Sequence, residues 1–126
     1  MNDSRTTVEP FGGTVNVMFS DAMIASTKDA LLLHREGEDP AFYIPLRDIY
    51  FEFLTETGTE RDVPGRGRTR YWNVQAVGES AQDVMWAHDE PPPELAPIRQ
   101  HAAFDPSRMR IEAVPQEDVV HVPHAP

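Results

Sequence analysis

Cysteine is absent from the chain. Disulfides, thiolate zinc sites and a cysteine nucleophile are thereby excluded, and the redox compartment cannot be read from thiol usage. Positive charge is scarce: eleven Lys and Arg face twenty-one Asp and Glu, for a formal charge of −10. Such a surface repels a phosphate backbone, so DNA and RNA are not expected partners. Long apolar runs are missing too. Nothing nears the roughly 18 residues that a spanning helix needs, and the first residues (Asn2, Asp3, Ser4, Arg5, Thr6, Thr7) form no apolar leader. The expectation is a soluble, cytoplasmic protein with no membrane partner. Neither a G-x-S-x-G elbow nor a Walker-type glycine-lysine-serine pattern occurs, which removes two common catalytic signatures.

What is present fits one domain. The chain has 126 residues and 14.2 kDa, enough to bury a core without metals or crosslinks. Its basic residues are unevenly placed. Residues 61–72 hold four of the eleven and only one acid, giving a local +3 in an acidic chain. Gly65, Gly67 and Pro64 in the same stretch let backbone N–H groups approach an anion.

Period-two alternation dominates, which predicts a mainly β domain of antiparallel strands. Val15, Val17 and Phe19 alternate with Thr14, Asn16 and Met18. Ser20-Asp21 then reads as a tight connection to a short strand over 23–25. Residues 30–34 suit a helix capped by Asp29 or a buried strand; neighbouring strands favour the strand. Residues 41–54 read as two strands separated by Pro45, which suits an edge or bulge because it cannot donate to a ladder. Residues 55–69 read as a long polar connection, and such loops are often functional. Strands follow over 71–77 and 83–88, joined by a turn at Gly78, Glu79 and Ser80. Three prolines, Pro91 to Pro93, stiffen the exit into one short helix over 94–101, and Met109, Ile111 and Ala113 mark a last strand. The ordered domain is expected over 13–114, between a disordered or loosely held 1–12 and a disordered tail over 115–126.

Several motifs together carry a family resemblance. They are Tyr43-x-Pro45-x-x-Asp48-Ile49, the Pro64-x-x-Gly67 loop followed by Tyr71-Trp72, Trp86 ahead of the proline-rich turn, and Phe104-x-Pro106-x-Arg108. In this order, over roughly 14–114, they resemble the bacterial domain of unknown function 427 family. The resemblance implies a small β-rich domain similar to the β-tent fold. Zinc-bearing relatives of that architecture use cysteine pairs, so their metal is not carried over. At the loop, family members usually read Cys-Pro-aromatic-Lys-Gly, where this chain has Val63-Pro64-Gly65-Arg66-Gly67; Arg66 keeps the lysine's charge. The family is sometimes labelled nucleotidyltransferase-like, which is the only pointer to an enzymatic activity.

Candidate site residues follow, each with two readings. Arg66 and Arg68, with the backbone around Gly67, offer planar donors to an anion; alternatively these arginines pair with nearby surplus acids on a solvated loop. Tyr43, Tyr71, Trp72 and Trp86 provide stacking or cation–π walls, or else core packing, and a mixture has one ring packed and another facing a cleft. His88 beside Asp89 has an acid–base composition, although adjacent strand residues point to opposite faces. Asp48 serves as a general base or metal ligand, or as an exposed strand carboxylate; about 13 Å of extended chain separates it from Glu52, too far for a glycosidase pair. His121 and His124 have ligand-like spacing but no third ligand. No cofactor is expected, a divalent metal being left open at Asp48. The reading is a cleft between 61–72 and the 43–48 corner that binds a small anionic, phosphate-bearing or nucleotide-like molecule. The alternative is a non-catalytic module whose aromatic residues engage a protein or a cationic molecule.

Overall fold

A computed structural model describes residues 5–116. Ten strands alternate with three short 3₁₀ turns: β1 Thr6–Pro10, β2 Gly13–Phe19, β3 Ala22–Thr27, β4 Leu31–Arg35, β5 Ala41–Pro45, β6 Leu54–Val63, β7 Gly67–Ala76, β8 Glu79–His88, β9 His101–Phe104 and β10 Arg110–Pro115. They form two antiparallel sheets. The larger has seven strands in the order β1-β4-β5-β9-β8-β7-β6, and the smaller has three in the order β10-β2-β3. The domain is mainly β and antiparallel, with one short helical segment near the expected place, Pro93–Ile98. Among the described residues no helix is long and apolar enough to cross a membrane.

The alternation read from the sequence decides which faces close. Val15, Val17 and Phe19 of β2 point inward against Trp72, Val74 and Ala76 of β7 and Met85 and Ala87 of β8, forming the principal core between the sheets. A side chain of this kind contributes about 1.5–3 kcal/mol when fully buried, so this face holds most of the apolar stabilisation. On the opposite face of the large sheet a second, smaller cluster gathers Leu33, Tyr43 and Ala103 under Leu95 and Ile98 of the Pro93–Ile98 turn. Six residues of 3₁₀ helix cannot cover seven strands. Part of that face stays open around β7 and β8.

Four expectations change in the structure. Residues 6–10 are not loosely held: β1 pairs with β4 from Thr6↔Arg35 to Pro10↔Leu31, and Val8 packs on the second cluster. Ladder hydrogen bonds satisfy a polar segment as readily as an apolar one, which is why composition misled. The second half of 41–54 is not a strand but two 3₁₀ turns, Leu46–Asp48 and Phe51–Phe53, around a single bridge, Ala25↔Ile49. The polar stretch 55–69 is no long loop: β6 and β7 run through it as a hairpin from Leu54↔Val74 to Val63↔Gly67. Its turn is Val63-Pro64-Gly65-Arg66, closed by the Arg66 N–H donating to the Val63 carbonyl at 2.8 Å, with Gly65 at φ +79°. Proline at the second position and a left-handed glycine at the third define a type II turn. Finally, β9 was not foreseen, and Pro115, assigned to the tail, ends β10; residues 117–126 lie outside the described ones.

Other calls match the structure. Residues 31–35 are a strand, and Ser20-Asp21 joins β2 to β3 across the Phe19↔Ala22 pair. Pro45, expected at an edge or bulge between two strands, instead ends the interior strand β5 opposite His101, where the Leu46–Asp48 turn takes over from the ladder.

Candidate functional site

The open part of the large sheet holds a cavity of about 330 Å³. Tyr71 and Trp86 form its floor because the β7–β8 register places them directly opposite each other, with ring centres 6.3 Å apart and tilted by 53°. Tyr43 of β5 closes one side and His88 of β8 the inner end, while Val63 and Arg66 descend from the type II turn. Trp86 also pairs across the ladder with Ala103, whose small side chain leaves room beside the indole. Strand alternation explains this grouping: Thr69 and Tyr71 on β7 share a face with Trp86 and His88 on β8, while Trp72 and Met85 turn into the principal core.

His88 is only 4% exposed and is held at both ring nitrogens. The Thr69 hydroxyl donates to the Gly67 carbonyl at 3.1 Å and lies 2.7 Å from His88 Nδ1. Because that hydroxyl has one proton, Nδ1 carries the hydrogen and donates to Thr69, leaving Nε2 to accept from the Tyr43 hydroxyl at 2.9 Å. The result is one directed chain, Tyr43 to His88 to Thr69 to Gly67. Burial, aided by the Arg66 charge and opposed by Asp89, lowers the His88 imidazole to about 4. Burial raises the Tyr43 phenol above its usual 10, against the Arg66 charge and the nearby donors of Arg66 and Trp86. Both groups are therefore neutral near pH 7. This chain positions the Tyr43 hydroxyl and stores no proton.

Arg66 is the cation of the cavity. Its side chain is 16% exposed, and Nη2 donates to Glu38 Oε1 at 3.0 Å. Glu38 sits in the turn between β4 and β5, so the ion pair ties that turn to the β6–β7 turn. The other arginines also find partners. Arg68 pairs with Glu60 at 3.4 Å, and Arg70 with Asp89 at 2.8 Å and Glu56 at 3.3 Å. Arg70 additionally lies 4.9 Å from the centre of the Trp72 ring, and Arg61 5.5 Å from that of Tyr71.

Five of the residues singled out in the sequence thus meet around one cavity: Tyr43, Arg66, Tyr71, Trp86 and His88. The other four lie elsewhere. Trp72 is buried in the principal core at 6% exposure, edge-on to Phe51. Arg68 is 62% exposed, and with Gly67 it borders a separate, acid-rimmed depression beside Asp62, Asp89 and Glu90. Gly67 has a packing role there, since a Cβ would come within 2.6 Å of the Glu90 carbonyl. Asp48 ends the Leu46–Asp48 turn and accepts from the Thr27 hydroxyl at 2.6 Å, away from the cavity. The expected cleft therefore includes Tyr43 but not the 48 corner, because the 3₁₀ turn rotates that carboxylate toward β3. Nor does the Arg66 amide serve as a free donor, being spent in the turn.

Among the described residues no group of three or more His, Asp or Glu side chains is placed to hold a metal ion. His121 and His124 lie outside the described residues. Sequence reasoning missed Thr69, Glu38, Ala41 and Val63. Thr69 was findable, two residues before Tyr71 on what proves to be one strand; Glu38 was not, since a remote turn delivers it.

No curated protein matches the chain. A family model described as "Domain of unknown function (DUF427)" matches residues 7–115, which begins within β1 and ends with β10. The match spans both sheets and every residue of the cavity, and the chain belongs to this DUF427 family.

Proposed function

We propose that this protein binds a small planar molecule carrying an acidic group, with the ring laid against Tyr71 and Trp86 and the acid toward Arg66. One observation carries the reading: a mostly buried guanidinium borders the same 330 Å³ cavity as three aromatic side chains and a neutral, doubly hydrogen-bonded histidine. The volume is at the lower end of the usual 300–1,000 Å³ range for small-molecule sites, enough for one ring system with its substituent. A low-dielectric aromatic wall strengthens the attraction between Arg66 and an anion relative to an exposed arginine. The short name of the matching family model, NTP_transf_9, makes nucleotides the first ligands to try. A second reading has its own observation: Tyr71 already accepts a guanidinium over its ring, and Glu38 adds a carboxylate at the rim, features that suit a cationic ligand.

A thermal-shift screen separates the two readings. Nucleotides, sugar phosphates and aryl phosphates on one side compete with quaternary amines on the other; a ligand at 100 times its dissociation constant adds about 2.7 kcal/mol of stability. The anionic reading expects the first group to raise the melting temperature and Arg66→Ala to abolish the rise while leaving the protein folded. A rise that survives Arg66→Ala removes Arg66 from the site, and a response to amines alone favours the second reading.

A further inference from the structure

A second concavity lies at the other end of β5. Ala41 lines the aromatic cavity, whereas Pro45, about 13 Å further along an extended strand, lines a depression of about 190 Å³. Leu46, Arg47, Arg99, Gln100 and His101 complete it. Two arginines and a histidine thus border one small hollow whose lining has no carboxylate, in a chain with twenty-one acids and eleven Lys and Arg. That concentration of positive charge runs against the average of the molecule.

The two basic segments are distant in sequence, and hydrogen bonds join them. The Leu46 N–H, opening the Leu46–Asp48 turn, donates to the Gln100 carbonyl at 3.0 Å, and Pro45 lies opposite His101 in the β5–β9 ladder. The Arg99 N–H closes the Pro93–Ile98 turn on the Ala96 carbonyl at 3.1 Å. Gln100 then takes φ +60°, a left-handed conformation uncommon for a residue with a side chain. The backbone carrying Arg99 and His101 is therefore fixed against the turn carrying Arg47.

The side chains have donors to spare. Arg47 is 66% exposed and spends Nη2 on Asp29 at 2.6 Å, which leaves most of its five guanidinium N–H groups for another acceptor. Arg99, also exposed, has no carboxylate partner among the described residues. His101 donates from Nδ1 to the Arg99 carbonyl at 2.7 Å, since a carbonyl only accepts. Its Nε2 remains, and it accepts from a protonated oxygen or, in the imidazolium, donates to a bare one.

We propose that this depression is an anion site for inorganic phosphate or the phosphate group of a small phosphomonoester. Arg99 and Arg47 supply the charged donors, and His101 meets a phosphate O–H or oxygen. Size supports the assignment: small-molecule sites usually span about 300–1,000 Å³, so this hollow takes a phosphate group and excludes a nucleoside. Two arginines on separate elements can each take a different pair of oxygens, which a tetrahedral oxyanion offers and a carboxylate does not. Asp29 competes for Arg47 from outside the lining. The site is independent of the aromatic cavity, because inorganic phosphate has no ring to lay against Tyr71 and Trp86.

The test titrates the full chain with inorganic phosphate by NMR of the Gln100 backbone amide, the His101 ring and the Trp86 indole. Phosphate should shift Gln100 and His101 progressively to saturation while Trp86 stays in place, and sodium chloride at equal ionic strength should move none of them. Glycerol phosphate distinguishes the sources: the same shifts assign the site to phosphomonoesters as well, and no shift assigns it to free phosphate. Arg99→Gln and Arg47→Gln should each weaken phosphate binding about ten-fold. Asp29→Asn, which frees Arg47, should tighten it several-fold, and weaker binding in that variant overturns the competitor role. Equal shifts with chloride, or unchanged phosphate binding in both arginine variants, overturn the site. A shift of Trp86 without Gln100 or His101 sends phosphate to the aromatic cavity and overturns it as well. The titration reads the unmutated protein, so a misfolded variant cannot rescue the proposal.

Discussion

The two faces of the seven-stranded sheet share the same strands and backbone, yet they do different work. One face is sealed by β2, β3 and β10, and the side chains buried there form the principal apolar cluster. The other is covered only by the Pro93–Ile98 turn, and where that cover ends the strands present Tyr71, Trp86, His88 and Thr69. Consecutive residues on one strand therefore separate into support and site. Met85 and Trp86 illustrate it: the first is fully buried between the sheets, the second half-buried beside the cavity. The chemistry lies where packing is incomplete.

The contrast can be broken by mutation, most strongly at the sealed face. Met85→Ala should cost about 3 kcal/mol in urea unfolding, since it leaves a cavity in close-packed surroundings. Tyr71→Ala, on the open face, should cost about 1 kcal/mol and affect ligand binding more than stability. Equal losses would mean that the open face is as structural as the closed one.

Acid should act through the open face next. In the unfolded chain His88 titrates near 6.5, whereas in the fold it is lowered to about 4. Above pH 6.5 it is neutral in both states and contributes no pH dependence. As pH falls from 6.5 to 4 the unfolded state takes up a proton that the native state refuses, so stability declines by about 3 kcal/mol across that window. Comparing unfolding free energies of the native chain with His88→Gln isolates this share from the carboxylates. The variant should lack that part of the slope, and identical slopes would show that His88 is not held neutral.

The smallest effects should come from the arginines of the hairpin. Arg70→Ala loses contacts to Asp89 and Glu56 and its place over Trp72, with a side chain 29% exposed, so about 1 kcal/mol is expected. Arg68→Ala, 62% exposed and paired once with Glu60, should change stability by less than about 0.5 kcal/mol. Denaturant midpoints of the two variants rank them directly.

Much of this division was legible in the chain, for a physical reason. Alternation reports burial, so β2, β3, β7 and β8 could be read before any coordinates, whereas which ring packs in the core and which faces the cavity stayed open until the register between β7 and β8 was in hand. The aromatic and basic candidates Tyr43, Arg66, Tyr71, Trp86 and His88 are large or charged, which makes them conspicuous. Less visible were features set by hydrogen bonds between distant segments. β1 and β6 are polar edge strands whose stabilisation comes from their ladders, so composition made them look like loose chain and loop. Asp48 looked like a cleft carboxylate because an extended chain was assumed through 46–53, and two 3₁₀ turns put it on Thr27 instead. Glu38 and Arg35 reach the Arg66 turn through tertiary contacts alone, and no local pattern announces them.

The chain has two tryptophans, one on each face, and this allows the account to be tested in a single titration. In a proton–nitrogen NMR spectrum of the full chain, phenyl phosphate should shift the Trp86 indole N–H progressively to saturation while the Trp72 indole stays in place. If Trp72 moves and Trp86 does not, or if both remain fixed at millimolar phenyl phosphate, the open face is not the binding face.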